Sequence, residues 1–149
     1  MKIKKHIDFS LSESEVIIHA KTTQEADLIA QKLTAQLSIV TPNGLFFLTL
    51  SEILCLMSQR NYVEIAMMTG EHIQVRGTLK DFELRLGSDF VRISRSTIIN
   101  FEHLQSLDTS LIHGIVAKVS GQNYTVSQFG YQALLTHLAR KEREYAHHD

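Results

Sequence analysis

Phe90–Asn100, FVRISRSTIIN, is the segment of this chain whose residue types and spacing best suit recognition chemistry. Arg92 and Arg95 stand in a stretch without an acidic residue from Phe90 through Phe101, interleaved with Ser94, Ser96 and Thr97. A guanidinium is a planar fork of donors that matches guanine O6 and N7, and short hydroxyls serve phosphate oxygens. If Phe90–Ile93 alternates as a strand, Phe90 and Arg92 share one face and Val91 and Ile93 the other, so that Ser94–Thr97 becomes a projecting bend. The same composition also describes an exposed arginine loop making surface ion pairs, and the residues alone leave both readings open.

Other chemistries fit less well. His6, His19, His72, His103, His113, His137 and the pair His147–His148 form no HExxH pattern and stand at no familiar ligand spacing from an acid, so no metal site is expected. The glycines are scattered singly at turns, with neither GxGxxG nor GK[ST], which argues against a phosphate-cradling loop. Cys55 lies in the apolar run ILCLM, where burial raises a thiol's pKa and makes it an inert small hydrophobe. A single cysteine also excludes an internal disulfide framework and a thiolate zinc cluster. A hydrolase lacks a paired acid and base at recognisable spacing and ranks last. No enzyme activity, cofactor or small-molecule substrate is expected.

These residues must be positioned by a chain of 149 residues, 44% hydrophobic, enough for one domain with a small appendage. Its 15 Lys and Arg against 16 Asp and Glu give a formal charge of −1, which speaks against a protein that coats nucleic acid through a broad basic surface. Runs such as Gly44–Leu50 and Ile53–Met57 fall far short of the ~20 residues that span a bilayer, and MKIKKHIDF has no apolar stretch behind its lysines. A cytoplasmic protein is expected.

Residues 2–9 and 15–20 read as two strands. Thr22 and Glu25 have capping-box spacing, predicting a helix through Ala26, Ile29, Leu33 and Leu37. Pro42-Asn43-Gly44 supplies a turn and the expected boundary between an N-terminal ββα extension, 1–43, and a second domain, 44–149. Beyond it, short strands are expected at LFFLTL, EILCLM, YVEIAMMT, HIQVRG, FVRISRSTIIN, HLQSLDT, GIVAKVS and YTVS. A short helix is capped by Thr78 and Asp81 and stopped by Gly87 in a left-handed conformation. A C-terminal helix from Ser127 places Tyr131, Leu134, Leu135 and Leu138 on one face, and AHHD frays. The fold class is mostly β with peripheral helices, α+β overall.

From about Gly44 to Leu138 the strings LTLSEILCLMSQRNYVEIAM, GTLKDFELRL, FVRISRSTIINFEHLQSL and NYTVSQFGYQALLTHL resemble the LytTR family of DNA-binding domains, the output module of LytR/AlgR-type bacterial transcription regulators. The third is the most specific, matching the family string F-x-R-x-S/H-R/N-S-x-I-V-N. The resemblance implies packed antiparallel sheets that insert loops, rather than a recognition helix, into successive major grooves of promoter repeats. It places contacts on Gln59, Arg60, Asn61 and Tyr62, on Ser94, Arg95 and Ser96, and on Ser127 and Gln128, with Arg95 as base reader. Lys80, Arg92 and the C-terminal basic turn are further auxiliary candidates, and the family position of Arg92 equally suits a structural role. Gln128 departs from the arginine common there; it suits adenine N6 and N7 and brings no charge. Tyr62 equally reads as the first residue of the next strand, facing the core. Residues 1–43 are too short for a receiver domain and resemble the extension of stand-alone members. The implied partners are double-stranded promoter DNA, a second copy of the chain in a homodimer on DNA, and a co-encoded membrane protein as regulator. The rival from another class is a β-rich protein-interaction or sensing module without DNA contact, and 1–43 is the segment expected to mediate self-association or pack on the module.

Overall fold

The computed structural model describes residues 2, 4, 6–11, 15–110 and 112–146, with the side chains of 32–34 and 145–146 left aside. Two compact units result, residues 1–33 and 34–149.

In the first unit the helix α1, Thr23–Thr34, starts where the sequence predicts. Thr22 Oγ1 accepts from Glu25 N at 3.1 Å, capping a first-turn amide. The two expected strands are not formed: among the described residues of 2–9 and 15–20 there is no strand. Residues 3 and 5 lie outside the described set. The β-branched composition is present, but Ile7, Phe9, Val16 and Ile17 are exposed, and an isolated strand pair without a face to bury is marginal in water. Leu33, expected on the apolar face of α1, has no described side chain, and the frayed terminus expected at 147–149 lies outside the described residues.

The second unit opens with a hairpin, β1 (Gln36–Thr41) and β2 (Gly44–Thr49), joined by the turn at Pro42 and Asn43. The expected boundary after residue 43 therefore falls at a hairpin turn, and the unit itself begins at Thr34. Leu37, expected at the end of the helix, is instead a strand residue. From Gln36 the burial alternates, with Leu37 and Ile39 inside and Ser38 and Val40 outside, a period of two that a helix cannot satisfy.

The centre is an antiparallel five-stranded sheet. Its strands are β3 (Ile53–Ser58), β4 (Tyr62–Met67), β5 (His72–Arg76), β6 (Phe90–Arg92) and β7 (Thr97–Asn100), in the order β5-β4-β3-β7-β6. Both faces are covered, which is why ILCLM and STIIN read as continuous apolar runs. Ile53, Leu56, Val63, Ile65 and Ile98 pack on one face with Leu37 and Ile39 of the hairpin and Leu79, Phe82 and Leu86 of helix α2, Leu79–Leu86. Cys55, Ala66, Val91, Ile93 and Ile99 pack on the other. Their partners there come from the three-stranded sheet β8 (Leu104–Ser110), β9 (Gly114–Val119) and β10 (Gln122–Val126), and from helix α3, Gln128–Ala146. Each such fully buried Leu, Ile or Phe is stabilised by roughly 1.5–3 kcal/mol relative to exposure, so the two apolar layers fix the central sheet from both sides.

Two helix details differ from expectation. Thr78 and Asp81 form a reciprocal capping box, but Gly87 has φ 86° and ψ −178°, a positive-φ extended residue rather than a left-handed helical cap. On α3 the buried positions are Gly130, Leu134 and His137, while Leu135 and Leu138 are 38% and 43% exposed. The rotation is set by Gly130. A Cβ there would stand 2.1 Å from Ile93 O, so the helix backbone itself lies against β6 and turns the i, i+4, i+7 row inward.

Candidate nucleic-acid interface

Antiparallel pairing brings three connections to one end of the central sheet: the β3–β4 turn, the β5–α2 link and the β6–β7 bend. In the first, Ser58 pairs with Val63 and Gln59 N donates to Tyr62 O at 2.8 Å, leaving Arg60 and Asn61 exposed at the tip. Tyr62 is the half-buried first residue of β4, and its register partner is Arg76, exposed at the last position of β5. Lys80 follows in the first turn of α2.

The β6–β7 bend is the best-defined part. Residues Phe90–Ile93 alternate as expected, with Val91 and Ile93 buried. Every carbonyl from Ile93 to Ser96 is satisfied from within. Ile93 O accepts from Ser127 N at 2.8 Å and Ser127 Oγ at 3.1 Å. Ser94 O accepts from Arg92 Nε at 3.2 Å and Arg95 O from Arg92 Nη2 at 2.6 Å. Ser96 O accepts from Ser58 N at 2.8 Å. Ser94 Oγ accepts from Ser96 N at 3.3 Å and lies 3.4 Å from Ser96 Oγ. The bend is thus tied to the β3–β4 turn through Ser58 and to the start of α3 through Ser127, and these three segments form one contiguous edge.

At α3, Ser127 Oγ accepts from Gly130 N at 2.9 Å as the N-cap, which leaves Gln128 exposed in the first turn. Arg95 and Ser96 are exposed, Ser94 is half-buried, and the guanidiniums of Arg60, Arg76 and Arg95 have no carboxylate partner among the described residues. Arg92 differs. It is half-buried, bound to the bend carbonyls, and its Nη1 lies 3.4 Å from Glu83 Oε2 of α2. Sequence reasoning missed two neighbours. Arg76 has no local signal, because its place beside the β3–β4 turn depends on the β4–β5 register. Phe129 reads in the sequence only as a residue of the C-terminal helix, yet it is 82% exposed beside Gln128.

Cys55 is buried on the second apolar layer with Sγ 3.3 Å from Tyr124 Oη, and burial pushes its thiol pKa up. Among the described residues no group of three His, Cys, Asp or Glu side chains converges; His147 and His148 lie outside them. No described helix is long and apolar enough to cross a membrane.

Comparison with known proteins supplies the family. The structure of the LytTr DNA-binding domain of a Bacillus cereus protein superimposes with a TM-score of 0.60 at 20% identity, over 70% of this chain and 96% of that one, and shows the same fold. No curated protein matches the chain. The family model for the LytTr DNA-binding domain matches residues 43–139, about two-thirds of the sequence, and so the chain belongs to the LytTR family of DNA-binding domains.

Proposed function

We propose that the protein is a sequence-specific regulator of transcription that binds double-stranded promoter DNA through the loop edge of its central sheet. In this reading Arg95 enters the major groove and donates to guanine O6 and N7, and Gln128 reads a second base edge. Arg60, Asn61, Ser94 and Ser96 fix the register on phosphates and flanking bases, while Ser127, whose two donors both go to Ile93 O, holds the start of α3 against the bend. Phe129 and Arg76, on the same edge, add an apolar surface for a thymine methyl and a further cation. A second copy occupies an adjacent repeat, and within residues 1–43 the part ahead of the β1–β2 hairpin is the segment for self-association or for control by a membrane protein.

One observation carries the reading: Arg95 stands exposed and, among the described residues, without a carboxylate partner on a bend whose four carbonyls are all held from within. Such a bend presents a side chain without first having to be ordered by its ligand. The test is a fluorescence-anisotropy titration of a duplex selected from a random pool, against a scrambled duplex, over a range of salt. Arg95→Ala loses about 1–3 kcal/mol of specific binding and leaves scrambled-duplex affinity nearly unchanged. Equal loss on both duplexes makes Arg95 a phosphate contact only. Absence of salt-dependent duplex binding by the unsubstituted protein rejects the reading in favour of a protein-interaction module.

A further inference from the structure

Arg92 stands one bend away from Arg95 and belongs to the same acid-free stretch, yet its geometry is that of a group already occupied. Its Nε and Nη2 donate to the carbonyls of Ser94 and Arg95, at 3.2 and 2.6 Å, and its Nη1 meets Glu83 Oε2 at 3.4 Å. The side chain is only 33% exposed. Each nitrogen of the guanidinium thus has an acceptor inside the protein, on two elements.

The two carbonyls have no other partner. Ile93 O and Ser96 O are held by backbone groups of Ser127 and Ser58, but Ser94 O and Arg95 O depend on Arg92 alone among the described residues. Without Arg92 these two carbonyls lose their donors, and the middle of the bend, where Arg95 sits, keeps only the longer bonds from Ser96 N to Ser94 Oγ at 3.3 Å and from Ser94 N to Thr97 O at 3.4 Å. Fixing one residue's backbone costs roughly five- to thirtyfold in an equilibrium constant, so a bend ordered only on DNA gives back a large part of what one base contact provides.

We propose that Arg92 is a positioning residue: it makes no DNA contact of its own and sets sequence preference by holding the Ser94–Arg95 backbone, with Glu83 orienting its guanidinium from α2. The inference rests on the reading of Arg95 as the base reader. It also specifies why arginine is needed. A rigid planar fork spans two successive carbonyls and a carboxylate, whereas a lysine ammonium on the same stem is a compact point charge that keeps the charge and loses the span.

The experiment measures the ratio of affinities for the pool-selected and scrambled duplexes, and the log–log salt slope, for Arg95→Ala, Arg92→Lys, Arg92→Ala and the double variant Arg92→Lys/Arg95→Ala. Arg92→Lys lowers the ratio about tenfold, the scale of one base contact, with the unsubstituted slope retained. In the Arg95→Ala background Arg92→Lys has no further effect on the ratio, because the two act as one unit. A lysine variant with the full ratio, together with an alanine variant whose slope is shallower by about 0.9, makes Arg92 a phosphate contact and overturns the proposal. Additive losses in the double variant overturn it as well. If Arg95→Ala itself keeps the full ratio, the reading of Arg95 fails and the inference with it; a loss in Arg95→Ala beside an unchanged Arg92→Lys overturns the inference alone. Arg92→Lys keeps charge and stem in place, so a folding defect in Arg92→Ala leaves the lysine series decisive.

Discussion

The two ends of the central sheet are made by the same five strands and are chemically opposite. At one end the β3–β4 turn and the β6–β7 bend carry Arg60 and Arg95, Arg76 ends β5 beside them, and the acids, Asp81 and Glu83 of α2, are engaged by Thr78 and Arg92; at the other, Glu52, Glu71, Asp89 and Glu102 stand with no Lys or Arg in the connections. The acidic end is closed on itself. Buried Asn100 donates to Ile53 O at 2.9 Å and accepts from Glu102 N at 3.1 Å, Met68 N donates to Glu52 O, and Asp89 lies 2.7 Å from Lys141 of α3. The basic end holds its backbone equally well but leaves its three outer guanidiniums facing solvent. A net charge of −1 therefore conceals a polarised domain, and the same satisfied backbone serves stability at one end and presentation at the other.

The comparison breaks most completely at the junction of the presenting end with the core. Gly130→Ala places a methyl 2.1 Å from Ile93 O, so α3 must lift from β6. Overpacking of backbone against backbone costs about 3 kcal/mol or more. Urea denaturation registers that loss, and duplex affinity falls with it, because Ser127 leaves the bend. A variant of unchanged stability would show that α3 docks elsewhere. Asn100→Ala separates the two ends: it strips a partner from the buried Ile53 carbonyl and costs about 1–3 kcal/mol of stability, while the folded protein keeps its duplex affinity. Reduced affinity at temperatures well below its unfolding would tie the acidic end to DNA and remove the distinction.

The parts of this arrangement legible in the sequence are those with local signals. The bend was visible because FVRI alternates and SRS cannot continue the pattern, and α2 because Thr78 and Asp81 form a box at their own spacing. Val16 and Ile17 have strand composition too, but both are exposed, and a partner strand is not a local property. The inward face of α3 was misread for a similar reason. Leucines at 135 and 138 look like core, yet the close approach of Gly130 to Ile93 decides the rotation, and His137, not among the residues expected on that face, is buried with only 4% exposure. Arg76 becomes visible only once the β4–β5 register is known.

A smaller effect sharpens the electrostatic half of the comparison. Arg60→Ala and Arg76→Ala each remove one cation from the presenting end without touching a hydrogen bond of the bend. Each makes the log–log salt slope shallower by about 0.9 and weakens selected and scrambled duplexes alike. A change in preference with no change in slope would make the residue a base reader instead.

The smallest effect concerns acid and the far end of α3. Arg140 can only donate, so its Nη2, 3.0 Å from His137 Nδ1, assigns the ring proton to Nε2, which faces Asp89 Oδ1 at 3.7 Å. Burial, and then the neighbouring Arg140, hold His137 below the ordinary histidine range; Asp89 and Glu144 pull it up, and Lys141 works against them. Its other neighbour is the ring of Phe101, 4.4 Å away. The unfolded chain therefore takes up a proton near the ordinary histidine pKa that the native protein refuses, so stability falls as pH drops through that value and levels off once native His137 titrates. Asp81, held below the usual carboxylate range by Thr78, releases its contribution at far more acid pH and leaves this window to histidine. Comparing urea midpoints at about pH 7.5 and about pH 5.5 shows a loss that His137→Gln reduces. An equal loss in that variant would assign the acid sensitivity to other groups and leave the seat of α3 on the acidic end independent of protonation.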